Sequence, residues 1–199
     1  NIKRMLAYSS IAHAGYVLVA LTVGGVNGIS AGIFYLLAYT LMNIGAFAII
    51  VLLSGKGEKF DNIKDYAGLG IKYPFAGFAM TIFMLSLSGI PATAGFIGKY
   101  KIFISAIDSG FVWLAIIGIF NSLISVWYYF GVIVTMFMKP ESETKLDIVL
   151  TPSLMIVILV SVIGVLALGL FPRDWLNLSD IAGKFLNSDA LIRSFINMP

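Results

Sequence analysis

The stretch SLSGIPATAGFIGKYK, residues 86–101, sets a lysine in an apolar run just after a Gly-Ile-Pro break. A lysine at the centre of a lipid-spanning segment costs at least ~2.5 kcal/mol, so such residues are rare and face a polar interior. Burial disfavours the charged form of the amine, which suits Lys99 to binding and releasing a proton. The competing reading has Lys99 snorkelling to the membrane surface. Lys101 lies nearer that surface and on another face of the helix, and snorkelling is the expected behaviour there.

Further polar residues fall at helical spacing inside apolar runs. Ser9, His13 and Tyr16 share one face of the first run, Tyr35, Tyr39 and Asn43 one face of the second, and Asn121, Ser125 and Tyr128 one face of the fourth. Histidine titrates near neutral pH and can relay protons. A neutral histidine can equally hydrogen-bond between helices, and the sequence leaves both roles open for His13. Each polar set alone is consistent with helix–helix glue; together they can line a hydrated path around Lys99. No Asp or Glu falls inside an expected span, so a carboxylate partner for Lys99 would have to come from outside this chain.

The elements that must position these residues follow from composition. Of 199 residues, 59% are hydrophobic and 12% charged, with a mean hydropathy of +0.97; a soluble domain carries roughly 25% charged residues. The fold class expected is all-α and integral to a membrane. It is a bundle of five transmembrane segments at about 5–23, 31–53, 74–107, 111–138 and 153–171, followed by an amphipathic tail from Arg173. The absence of cysteine excludes disulfides and cysteine-ligated iron–sulfur clusters, and a single histidine excludes a bis-His haem within the chain. A net charge of +3 gives no reason to expect nucleic acid as a partner. The sequence starts at Asn1 as if at the end of a loop, so residues 1–199 read as one membrane domain and as a fragment of a longer chain.

Basic residues set the expected orientation. Lys3, Arg4, Lys56, Lys59, Lys64, Lys72, Lys139 and Lys145 fall on one side, whereas the other side has only Arg173, Lys184 and Arg193 of the tail. The first side should be cytoplasmic, which puts the C-terminus outside.

The third segment is too long for one straight span: as a single helix, 74–107 would run roughly 50 Å, against a hydrocarbon core of about 30 Å. Pro91 lacks an N–H and disfavours helix at Ile90. Gly89, Gly95 and Gly98 loosen the same region. The spacing predicts half-helices at about 74–88 and 97–107, joined by a non-helical link through 89–96. Backbone of that kind is tolerated at membrane depth only where protein shields it or a hydrated cavity receives it, and it marks transport sites. The simpler alternative is a proline kink in a tilted helix.

Three stretches carry a family resemblance: KRMLAYSSIAHAGY (3–16), YLLAYTLMNIGAFAIIVLL (35–53) and MLSLSGIPATAGFIGKY (84–100). They resemble the proton-pumping antiporter-like membrane subunits of respiratory complex I. The resemblance implies that this chain corresponds to the last helices of such a subunit, and that the family's lysine on a broken helix maps onto Lys99. The family's other key carboxylate and lysines have no positions here. It further implies a role in coupling quinone reduction to proton pumping in the bacterial inner membrane. No cofactor is expected in this chain; NADH, FMN, iron–sulfur clusters and quinone would belong to partner subunits, and its partners would be other membrane-arm subunits and the lipid bilayer. Two rivals keep the fold: a subunit of a multi-chain sodium/proton antiporter or membrane-bound hydrogenase, and a non-transporting structural subunit.

Overall fold

The computed structural model describes residues 1–54, 61–141 and 151–188, and every regular element among them is helical. The expected basic residues Lys56, Lys59, Lys145 and Arg193 lie outside the described residues. Four helices are long and apolar enough to cross a membrane: α1 (Ile2–Val23), α2 (Gly25–Ser54), α6 (Val112–Met138) and α7 (Pro152–Leu170). The others are α3 (Leu69–Lys72), α4 (Pro74–Ser88), α5 (Ala94–Asp108) and α8 (Pro172–Leu186), with a 3-10 turn at Ile63–Tyr66.

Helix α2 is the hub, packing against α1, α4, α5, α7 and α8. Small residues let its neighbours approach, as expected where lipid removes the hydrophobic drive and close packing must replace it. A Cβ on Gly45 would sit 2.2 Å from the Phe83 ring of α4. On α6, Ala115, Gly118, Ser125, Tyr129, Val132 and Met136 form the buried stripe, while Trp127, 86% exposed, and Trp113 face outward. An outward face of that size and apolarity meets lipid or another protein rather than water.

The structure departs from the sequence reading in three places. The loop expected near 23–30 shrinks to one residue: Gly24 and Gly25 have φ of +64° and +55°, and α2 starts at once. The left-handed backbone open to glycine makes the tight turn that a longer loop was expected to supply. The charged loop after α2 is partly folded. Tyr66 and Leu69 are buried, and Gly68 N–H bonds the Thr135 carbonyl of α6 at 3.3 Å. Finally, α5 begins at Ala94, so Gly95 and Gly98 are helical and only 89–93 is irregular. These two glycines serve close approach rather than looseness. A Cβ on Gly95 would fall 1.9 Å from the Ser86 carbonyl oxygen, and one on Gly98 would fall 2.7 Å from Cδ2 of Tyr35.

Candidate functional site

The end of α4 explains why a lysine sits beside it. A helix leaves its last four carbonyls without intrahelical partners. Gly89, at φ +86°, turns the chain so that its own N–H reaches the Leu85 and Ser86 carbonyls, and Ile90 N–H reaches Leu85 at 3.0 Å. That leaves Leu87 and Ser88. Pro91 has no N–H to offer, and Ala92 is held at φ +68°, a left-handed conformation that a non-glycine residue seldom adopts. Lys99, one turn into α5, supplies the missing donors: its Nζ lies 2.9 Å from the Leu87 oxygen and 3.1 Å from the Ser88 oxygen. Its third partner is Ser122 Oγ of α6 at 2.9 Å.

An ammonium has three N–H donors and no acceptor, and all three of these donors are met. Lys99 is only 4% exposed, and none of the ion pairs among the described residues includes it. Its charge is balanced instead by carbonyl oxygens at the negative end of the α4 dipole and by the face of Tyr16, whose ring centre is 5.2 Å from Nζ. The link 89–93 is shielded on its far side by α7, where a Cβ on Gly169 would fall 2.5 Å from Thr93 Cα. The first turn of α5 is satisfied through Ser86, whose Oγ accepts from Gly95 N–H at 3.0 Å.

His13 anchors a second polar group close by. It is 2% exposed. Nδ1 lies 2.6 Å from the Tyr35 hydroxyl and Nε2 lies 3.0 Å from the Tyr129 hydroxyl. Tyr39 stacks on the imidazole with ring centres 4.6 Å apart, and Tyr16 meets it edge-on at 5.9 Å. A neutral imidazole donates from one nitrogen and accepts at the other, and each tyrosine hydroxyl can do either. Both tautomers are therefore satisfied in place, and exchanging them moves a proton from one tyrosine side to the other.

Tyr16 joins the two groups, touching both Lys99 and His13. Its hydroxyl is buried beside the Ser122 and Asn121 side chains.

Other residues of the expected path do not bond Lys99 or His13 directly. Ser9 is buried beside Tyr129 and bonds the Leu6 carbonyl of its own helix at 2.8 Å. Ser125 likewise bonds the Ser122 carbonyl at 2.6 Å. Asn43 is half-buried on α2, and among the described residues it hydrogen-bonds to neither Lys99 nor His13. Asn121 is exposed and lines a groove between α1 and α6 with Ile11, Gly15 and Tyr16. The residues that reach the site from α6 are instead Ser122 and Tyr129. They lie on the small-and-polar stripe that runs through Ala115, Gly118, Ser125 and Val132. The bulky apolar residues opposite, Trp113, Phe120 and Trp127, mark that stripe in the sequence. Lys101 corrects a further expectation. Rather than snorkelling free, it is tied to Asp180 of α8 at 2.7 Å.

Residues 1–125 match the family model described as NADH:quinone oxidoreductase/Mrp antiporter, transmembrane. The chain is 50% identical over 173 residues to NADH-quinone oxidoreductase subunit N 1 of Solibacter usitatus, covering 86% of this chain and 36% of that protein. It is 51% identical over 186 residues to NADH-quinone oxidoreductase subunit N of Trichlorobacter lovleyi, covering 94% and 38%. It thus spans well under half the length of these relatives. Among solved structures, a chain of respiratory complex I from Thermus thermophilus with bound Aureothin superposes with a TM-score of 0.75 at 36% identity, covering 88% of this chain and 39% of that one. A chain of the archaeal membrane-bound sulfane sulfur reductase gives 0.76 at 29% identity, covering 94% and 38%. These matches, with the apolar helices, make this an integral membrane protein and a member of the NADH:quinone oxidoreductase/Mrp antiporter transmembrane family.

Proposed function

We propose that residues 1–199 are the C-terminal membrane portion of a proton-translocating subunit of NADH:quinone oxidoreductase, and that Lys99 is its proton carrier. The observation that carries this reading is a buried lysine with no carboxylate partner among the described residues, capping the carbonyl end of α4 beside Ser122. In the ammonium form the three N–H groups hold three oxygens, while the Ser122 hydroxyl reaches the Ser88 carbonyl at 3.3 Å. After the proton leaves, the amine has a lone pair, and the Ser122 hydroxyl can turn to donate to it. Gain and loss of the proton thus each find a complete set of partners without moving a helix. His13, between Tyr35 and Tyr129, serves as the relay, and Tyr16, in contact with both, connects the two.

In this reading α4 and α5 together form one broken span, with Gly89 and Pro91 in its link, and make five spans with α1, α2, α6 and α7. Loops 54–72 and 139–152 face the cytoplasm of a bacterial cell and the C-terminus lies outside the inner membrane, because basic residues are retained inward. Other membrane-arm subunits flank the chain. NADH, FMN, iron–sulfur clusters and quinone bind in those partners, and this chain couples quinone reduction to pumping. A sodium/proton antiporter is the second reading, favoured by a family model that spans both kinds of complex. The identity of about half to two subunit N sequences favours the first. A purely structural bundle needs only hydrogen-bond donors at the end of α4, not a titratable amine.

The test uses the full-length chain in its assembled complex, reconstituted in proteoliposomes, with proton uptake normalised to assembled enzyme. Lys99→Ala removes the carrier but also leaves two carbonyls bare, so Lys99→Gln, which keeps amide donors, is measured beside it. Both should lower proton uptake at least about tenfold. Lys99→Arg should be impaired as well, since a guanidinium does not deprotonate in proteins. Pumping at the wild-type rate in the alanine variant would sink the assignment.

A further inference from the structure

A second polar cluster lies on the opposite side of α5 from Lys99. Lys101 Nζ is 2.7 Å from Asp180 Oδ1, 2.6 Å from Ser30 Oγ and 3.0 Å from Ser179 Oγ. The Ser30 hydroxyl also donates to Asp180. Four side chains from α2, α5 and α8 thus meet at one point. We propose that Lys101 and Asp180 form a clasp that sets the position of α5, and through it Lys99, by fastening that helix to α2 and to the C-terminal helix α8.

The way α8 docks is the main support. A helix laid on a bundle by its apolar side is held by burial. On this one Leu178, Ile181 and Phe185 are exposed, its buried residues are Ser179 and Gly183, and Leu176 is the apolar side chain packed against the core. The contact with α2 is close, since a Cβ on Gly183 would fall 2.9 Å from the Val26 carbonyl oxygen. The polar attraction on that face is the cluster. The Lys101 side chain is 18% exposed and that of Asp180 48%. Its two serine hydroxyls make this a network rather than an isolated surface pair, which would count for little.

The mechanical consequence falls on α5. This helix is 15 residues long. Its first turn is pinned by Gly95 against Ser86 and by Lys99 against the end of α4. Lys101 is half a turn further on and faces α2 and α8. Held on both sides, α5 cannot rotate without breaking one set of bonds. Asp180 therefore touches no reacting atom and acts through the helix that carries Lys99.

Hydrogen–deuterium exchange on the assembled complex tests the clasp without reference to what Lys99 does. Asp180→Asn should speed amide exchange across 172–186 and in the outer turn of α5 about tenfold, leaving α6 unchanged. Proton uptake per assembled complex should fall at least about threefold, as misplaced catalytic groups do. Serine hydroxyls can donate to a carboxylate or accept from an ammonium. The charge-swapped chain, Lys101→Asp with Asp180→Lys, should therefore return both readouts to within about twofold of wild type. Asp180→Glu keeps the charge and should do the same. Unchanged exchange in Asp180→Asn, or a swapped chain that exchanges as fast as the single variant, overturns the clasp. Fast exchange with wild-type pumping overturns the positioning of Lys99. The activity arm alone rests on the proposed role of Lys99, so an intact Lys99→Ala variant would defeat that reading while the exchange result still judged the clasp.

Discussion

Lys99 and Lys101 are two residues apart on one helix and have opposite environments. Lys101 meets a carboxylate, two hydroxyls and some solvent. Lys99 meets two backbone carbonyls, one hydroxyl and an aromatic face, and is almost wholly enclosed. A carboxylate stabilises the ammonium wherever the proton might otherwise go, and so fixes a charge in place. Carbonyl dipoles satisfy the hydrogen bonds without adding a countercharge, so the amine and the ammonium can both be accommodated. In the proposed reading the same side chain is a fastener at one position and a carrier at the other. The backbone decides which, because the end of α4 offers Lys99 the carbonyls of Leu87 and Ser88.

Moving α5 as a body disturbs both lysines at once, and that is the largest expected effect. In Gly95→Ala the new methyl carbon would start 1.9 Å from the Ser86 carbonyl oxygen and 2.8 Å from its carbon, backbone atoms that cannot swing aside. The half-helices must separate, at a cost of about 1–3 kcal/mol or more. The amount of assembled complex and its thermal midpoint should both fall; an alanine variant with wild-type values would mean that the two half-helices are not in fixed contact.

A carboxylate can instead be given to Lys99. Ser122→Asp places an acceptor where the hydroxyl now lies 2.9 Å from Nζ. The complex should still assemble, because a buried lysine gains a partner. Proton uptake should drop about tenfold or more, because pinning the charge makes Lys99 resemble Lys101. Undiminished pumping in this variant would remove the contrast between the two sites.

Much of this was legible in the sequence, and what was not has definite causes. The helices, the interruption near Pro91 and the enclosure of Lys99 follow from hydropathy, from a missing N–H and from the cost of a charge facing lipid. The extent of the link was misread because glycine has two uses. Gly89 needs its left-handed backbone, whereas Gly95 and Gly98 sit in ordinary helix and are small because Ser86 and Tyr35 press on them. Periodicity cannot separate those roles. On α6 the polar face was taken through Asn121, Ser125 and Tyr128; Ser125 is on the buried stripe, but Ser122 and Tyr129 are the residues that bond Lys99 and His13. The position of the tryptophans gave the correct phase, since bulky apolar residues face outward in such a helix. The Lys101–Asp180 pair spans 79 positions, and no local pattern announces it.

The smallest expected effect is the one that separates the two lysines most cleanly. Arginine keeps a permanent positive charge and several donors. At position 101 those are the properties the clasp uses. Asp180 is about half exposed, which leaves room for the larger head group, and Ser30 and Ser179 are acceptors for any N–H. Lys101→Arg should therefore leave assembly unchanged and proton uptake within about twofold of wild type, since the charge and the donors are kept. At position 99 the same substitution keeps the charge and donors but removes the capacity to release a proton. If both arginine variants pumped normally, neither lysine would be a carrier. If both failed alike, the enclosed site and the clasped site would share one demand, and carboxylate pairing would not be what distinguishes them.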